Sequence, residues 1–140
     1  MSNSFIVDAS VVVGLFVNVS HTNACIEFFD RLMDPDALFI APDAMYFEVA
    51  SSLRKLERRG LFDDLDQALV QVAGFEILST SSRDLMQAAV TISREHVMSP
   101  YDSFYLALSQ REGLPLVTAD DRLVNGVKGK GYDVRSVAQL

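Results

Sequence analysis

Ser99-Pro100-Tyr101-Asp102-Ser103-Phe104-Tyr105-Leu106-Ala107-Leu108, continued after a turn by Gly113-Leu114-Pro115-Leu116-Val117-Thr118-Ala119-Asp120, is the stretch that decides how this chain folds. Serine before proline is a strong helix start: the hydroxyl caps free N–H groups, and proline at the first helical position gives up an N–H that has no partner there. The helix so opened runs over roughly residues 100–112. It leads into Leu116-Val117, a short β-rich run, and Asp120 then stands in capping position for another helix over roughly residues 120–128. One helix, one strand and one helix follow each other within a single short stretch.

The same alternation extends outward in both directions. Phe5-Ile6-Val7, Leu38-Phe39-Ile40, Phe75-Glu76-Ile77-Leu78 and Tyr132-Asp133-Val134 are further short apolar runs bounded by turn residues, which makes five candidate strands. Helical spacing recurs over roughly residues 10–17, 22–33, 43–59, 63–73 and 82–96. Strands alternating with helices imply right-handed crossovers and a parallel sheet covered on both faces. The expected class is therefore α/β, a three-layer sandwich around about five parallel strands. The chain of 140 residues, 49% hydrophobic, is expected to form a single domain over residues 1–140.

Composition narrows the function. No apolar run reaches the roughly 18 residues of a membrane span, and no Lys or Arg precedes Arg31, so no membrane association and a cytoplasmic location are expected. Cys25 is the only cysteine, which excludes an internal disulfide or a cysteine zinc cage. With 12 Lys and Arg against 19 Asp and Glu, the formal net charge is −7 at pH 7. A general basic footprint for nucleic acid is missing, so binding of that kind needs a metal or a local basic patch.

The acids are more informative. In an open parallel sheet, ligands gather at the carboxyl ends of the strands. Asp8 closes the first strand and Asp120 follows the fourth; taken singly, each is as well read as a helix cap. Asp102 falls in the first turn of its helix, where a carboxylate is favourable in any case. Glu48 lies inside the 43–59 helix, off the apolar stripe of Met45, Val49, Leu53 and Leu56, as a solvated glutamate would. Lys55 and Arg59 fall within about 20° of Glu48 on the helical wheel and are candidate contacts for a phosphate backbone. Several carboxylates gathered in one place would repel one another unless a hard cation such as Mg²⁺ or Mn²⁺ sat among them. His21 and His96 have no metal-ligand spacing.

Three segments resemble the PIN-domain family. Ser4-Phe5-Ile6-Val7-Asp8-Ala9-Ser10 is similar to its opening strand, an apolar run ending in Asp. Ala41-Pro42-Asp43 through Phe47-Glu48-Val49-Ala50-Ser51-Ser52-Leu53-Arg54 is similar to its second acidic segment. Ser99 to Leu123 resembles its third acid, the following helix, the fourth strand and the Thr-x-Asp signature, here Thr118-Ala119-Asp120. Length and helix pattern look most like the VapC-type toxins of toxin-antitoxin pairs. Ser109 departs from the alanine common at its place.

The resemblance implies an acidic quartet of Asp8, Glu48, Asp102 and Asp120, with metal held by Asp8, Asp102 and Asp120. Ser10 and Thr118 would support it, and Asp121 would assist or replace Asp120. It further implies a Mg²⁺- or Mn²⁺-dependent endoribonuclease that cleaves RNA, inhibition by a cognate antitoxin, and a homodimer. The rival readings are a catalytically silent scaffold of the same fold and a phosphoacceptor receiver-like domain. The second is disfavoured because Asp8 has no acidic neighbour and Arg135, rather than lysine, follows the fifth strand.

Overall fold

A computed structural model describes residues 3–18 and 21–140. Five strands are present, β1 (Ser4–Val7), β2 (Leu38–Pro42), β3 (Ile77–Thr80), β4 (Leu116–Thr118) and β5 (Val134–Ser136). They form one wholly parallel sheet in the order β3-β2-β1-β4-β5. Seven helices among the described residues flank it: α1 (Ala9–Val13), α2 (Thr22–Phe29), α3 (Ala44–Arg58), α4 (Leu65–Ala73), α5 (Ser82–His96), α6 (Pro100–Glu112) and α7 (Asp121–Gly126). This is the expected three-layer α/β arrangement. The interior strands show why it closes: Ile6, Val7, Phe39, Leu116 and Val117 have no exposed surface, so both faces of the sheet are covered.

The chain builds outward from β1 to β2 and β3, then returns to the other side of β1 for β4 and β5. The boundary between β1 and β4 is thus the point where the winding reverses, and the crevice at its carboxyl end is where such sheets take ligands. Register pairs Ile6 with Leu116 and Val7 with Val117, and the Asp8 N–H continues the ladder to the Val117 carbonyl at 3.0 Å. Asp8 is therefore carried level with Thr118.

The helices are fixed by local chemistry as well as by burial. Ser99 caps α6 through its hydroxyl on the Tyr101 N–H, with Pro100 at the first helical position, and Gly113 ends the helix at φ 65. α6 packs on β1, β2 and β4, and α5 packs on α6. Asp43 precedes α3 without capping it; its carboxylate accepts instead from the Ser82 N–H at 3.1 Å and from the Ser82 hydroxyl, tying the start of α3 to the start of α5. Within the core, the Phe28 and Phe39 rings stack at 4.7 Å while Phe5 meets both edge-on, an arrangement worth more than area alone. No helix among the described residues is long and apolar enough to cross a membrane.

Candidate active site

Four carboxylates from four different elements line one cavity of about 360 Å³: Asp8 at the end of β1, Glu48 in α3, Asp102 in the first turn of α6 and Asp120 after β4. Ser10 and Ser52 complete its polar wall. The capping reading of the acids is also correct. Asp8 caps α1 on the Ser10 N–H and Asp120 caps α7 on the Arg122 N–H, so each side chain fixes a helix start while facing the cavity.

Asp8 is the most deeply set, 6% exposed. Its Oδ2 accepts from the Thr118 hydroxyl at 2.9 Å and from the Ser10 hydroxyl at 2.5 Å. Thr118 Oγ1 in turn accepts from the Asp120 N–H at 3.0 Å, and Ser10 Oγ accepts from the Ala119 N–H at 2.9 Å. Ser10 and Thr118 thereby lock the β1 and β4 ends together beneath the cavity. These bonds fall on Oδ2; Oδ1 carries none of them.

The charges have little to neutralise them. Burial raises the Asp8 pKa against the hydrogen bonds from Ser10 and Thr118 that lower it. Burial also pushes Glu48 up to about 7, helped by the charges of Asp8 and Asp102 and opposed by a hydrogen bond from Tyr105. Asp102 is pushed up to about 6 by burial and by Asp8 and Asp120, with the Arg122 guanidinium pulling the other way. Arg122 is 95% exposed and stands 3.6 Å from Asp120, so water screens most of its effect. Acids that share a cavity and resist ionisation are the pattern expected of a cation site or of acid–base chemistry.

A family model for the PIN domain matches residues 5–128. The chain belongs to the PIN domain family. Its PIN domain is 28% identical over 122 residues to "Ribonuclease VapC3" of Pyrobaculum aerophilum, covering 84% of this chain and 90% of that protein. Among solved structures it resembles VapC20 of Mycobacterium tuberculosis, described as a sarcin-ricin loop cleaving toxin, with TM-score 0.66, 14% identity and coverage of 91% of this chain and 95% of that one. It also resembles a toxin-antitoxin complex from Klebsiella pneumoniae, with TM-score 0.61, 17% identity and coverage of 96% and 98%. At these identities the structural likenesses speak for the fold.

The donor set of this PIN domain, all carboxylate and hydroxyl oxygen, suits Mg²⁺ or Mn²⁺ and offers nothing to softer ions. Among the described residues, no group of three or more His, Cys, Asp and Glu side chains could hold a metal as it stands. The two findings agree for Mg²⁺, which takes one or two protein carboxylates and keeps several waters.

The remaining expected residues are spread unevenly. Lys55 borders a second cavity that shares Glu48 and Ser52 with the acid one. Arg59 is the exposed C-cap of α3, outside both. Asp121 turns away: it pairs with His21 at 3.2 Å and lines a larger cavity of about 580 Å³, where it is the only carboxylate side chain among the described residues. That cavity is bigger, yet the four acids gather in the other. Two residues escaped the sequence reading. Tyr105, fully buried, donates to Glu48 Oε1 at 2.9 Å, and Arg122 supplies the rim cation. A tyrosine three places after Asp102 in an apolar helix was the available signal, since a buried phenol needs a partner.

Proposed function

We propose that this PIN domain is a Mg²⁺- or Mn²⁺-dependent endoribonuclease, acting as the toxin of a toxin-antitoxin pair, with Asp8, Glu48, Asp102 and Asp120 as its working acids. The observation that carries the reading is the convergence of those four carboxylates on one cavity, each resting on a different element. The kinship with a VapC ribonuclease, and the likeness to a toxin that cleaves RNA and to a toxin held by its antitoxin, support the substrate class and the partner.

When bound, the ion would activate water and offset the charge that develops on the phosphoryl oxygens. Asp8 and Asp102 would be its principal holders, with Asp120 beside them. Ser10 and Thr118 keep Asp8 in one orientation, so that its free oxygen, Oδ1, needs no rearrangement to bind. Glu48, at about 7, is matched to taking a proton from the attacking water near neutral pH. Attack of the water oxygen on phosphorus forms one P–O bond as the bond to the departing sugar oxygen breaks, and that oxygen leaves with a proton from solvent. A cognate antitoxin, carrying positive charge to this acidic face, would inhibit by covering the cavity.

The deciding experiment incubates cellular RNA with the purified protein in Mg²⁺, Mn²⁺ or EDTA, beside Asp8→Asn and Asp102→Asn, and titrates Mn²⁺ by calorimetry. The expected result is metal-dependent cutting that each variant reduces by more than the roughly 10–100-fold typical of outer-shell partners, with weakened Mn²⁺ binding. Metal binding without cutting of any RNA would identify a silent scaffold.

A further inference from the structure

Phe47 is 78% exposed and Tyr101 is 63% exposed, although both are large rings on helices that have apolar cores to face. α3 buries Met45, Val49 and Leu53, and α6 buries Tyr105, Leu106 and Leu108, so neither exposed ring belongs to the stripe that holds its helix down. Neither takes part in the aromatic pairs of the core. Instead the two rings line one cavity of about 370 Å³, together with Glu48, Ser51, Ser52 and Lys55. Glu48 and Ser52 line the acid cavity as well, so the two hollows share a wall. Each ring is also the residue immediately before a cavity acid, as Phe47-Glu48 and Tyr101-Asp102.

Taking the nuclease reading above as its base, we propose that Phe47 and Tyr101 form a stacking platform for one unpaired nucleobase next to the scissile phosphate, with Lys55 holding the adjoining backbone phosphate. Exposed aromatic rings beside a cation are the chemistry by which proteins hold splayed-out bases: any base offers a π-face, and the cation meets the backbone. The serine hydroxyls add hydrogen-bonding capacity at the base edge. A base within a duplex is already stacked on its neighbours, so the platform selects loops, bulges and single strands. It also answers a difficulty of charge. With a net charge of −7, phosphate contacts alone would give this protein little affinity for RNA, whereas stacking adds affinity that salt does not screen.

The test is equilibrium binding, in EDTA so that the RNA stays intact, of a fluorescently labelled single-stranded RNA of about ten nucleotides, beside a fully paired RNA of the same sequence. Wild type is compared with Phe47→Ala, Tyr101→Ala and the ring-retaining Phe47→Tyr. Both positions are exposed, and thermal melts check that each variant folds. Each alanine variant is expected to weaken single-strand binding about ten-fold, with Phe47→Tyr staying near wild type and the paired RNA unaffected. The proposal is overturned if the alanine variants bind the single strand as wild type does, if paired RNA loses as much, or if wild type does not bind the single strand. It is equally overturned if the alanine variants turn an oligomer into monomers with RNA affinity unchanged, which would make the face a protein contact. Cleavage in Mn²⁺, run in parallel, separates the two readings. Cutting by wild type with alanine variants that bind and cut normally leaves the nuclease standing and removes the platform. Ring-dependent binding without cutting does the reverse.

Discussion

Tyr105 is where the core and the wet part of the site meet. Its hydroxyl donates to Glu48 Oε1 at 2.9 Å, and that bond holds the Glu48 pKa down while burial and the charges of Asp8 and Asp102 push it to about 7. Tyr105→Phe removes the donor and leaves the upward pushes unopposed, so Glu48 should titrate higher still. If ionised Glu48 receives the water's proton, the acid limb of kcat/KM against pH moves to higher pH in the variant, and activity recovers once the pH is high enough. A Tyr105→Phe profile that overlays the wild-type one would remove Glu48 from the rate-limiting ionisation. The sequence signals that a phenol within Phe104-Tyr105-Leu106 needs a partner, but not that the partner is Glu48, 57 residues earlier on another helix. It was equally silent between Asp120 and Asp121, adjacent acids at a helix start and separated by about 100° of rotation. Rotation sends the first to the cavity and the second to His21.

At the scale of elements, α1 carries much for its length: five residues that follow Asp8, include Ser10 and bury Val11 and Val12. Its end is held by contact. Gly14 sits at φ −62, a conformation open to any residue, yet a Cβ there would come within 2.6 Å of Cys25 Sγ in α2 and 3.3 Å of the Ser10 carbonyl oxygen. Gly14→Ala therefore sets the roughly 0.4–1 kcal/mol gained by stiffening the unfolded chain against an overpacking cost of about 1–3 kcal/mol. Net destabilisation is expected, seen as a lower urea midpoint at unchanged slope, and Gly14→Ala with Cys25→Ala should cost less than the two single changes added. Simple additivity would mean that the sulfur is not the obstacle. The interior strands β1, β2 and β4 lie where apolar runs placed them, because burial on both faces leaves such runs no other home. The edge strands moved by two residues, from the expected Phe75–Leu78 to Ile77–Thr80 and from Tyr132–Val134 to Val134–Ser136. In both cases an aromatic that looked like a strand residue packs elsewhere: Phe75 on Phe16 and Phe29, Tyr132 on His96. The expected 22–33 helix likewise divides into α2 and a 3₁₀ turn over Asp30–Met33, and the expected 10–17 helix is cut to α1 by the turn at Gly14.

For the whole molecule, the acid cavity makes stability depend on pH in a direction opposite to that of most acidic groups. Glu48 titrates at about 7 against an ordinary 4.5, and Asp102 at about 6 against 3.8, with Asp8 shifted the same way. Between the ordinary and the raised values the folded chain keeps protons that the unfolded chain has lost, so the stabilisation is complete below the lower values and disappears as pH rises through 6 and 7. Glu48 and Asp102 are only partly buried, which makes the slope shallow. In EDTA, Tm should fall between about pH 5 and about pH 8. Growing net negative charge could produce a fall of its own, so the control is Asp63→Asn, which removes an exposed acid outside the cavity and should leave the slope alone. Asp102→Asn, which removes a charge from within it, should flatten the slope. Mn²⁺ must displace the same protons, so its stabilising effect should grow with pH and be greatest where the metal-free protein is weakest. A Tm in EDTA that stays level or rises over this range would mean that the four carboxylates ionise without hindrance, and the electrostatic case for a cation among them would be lost.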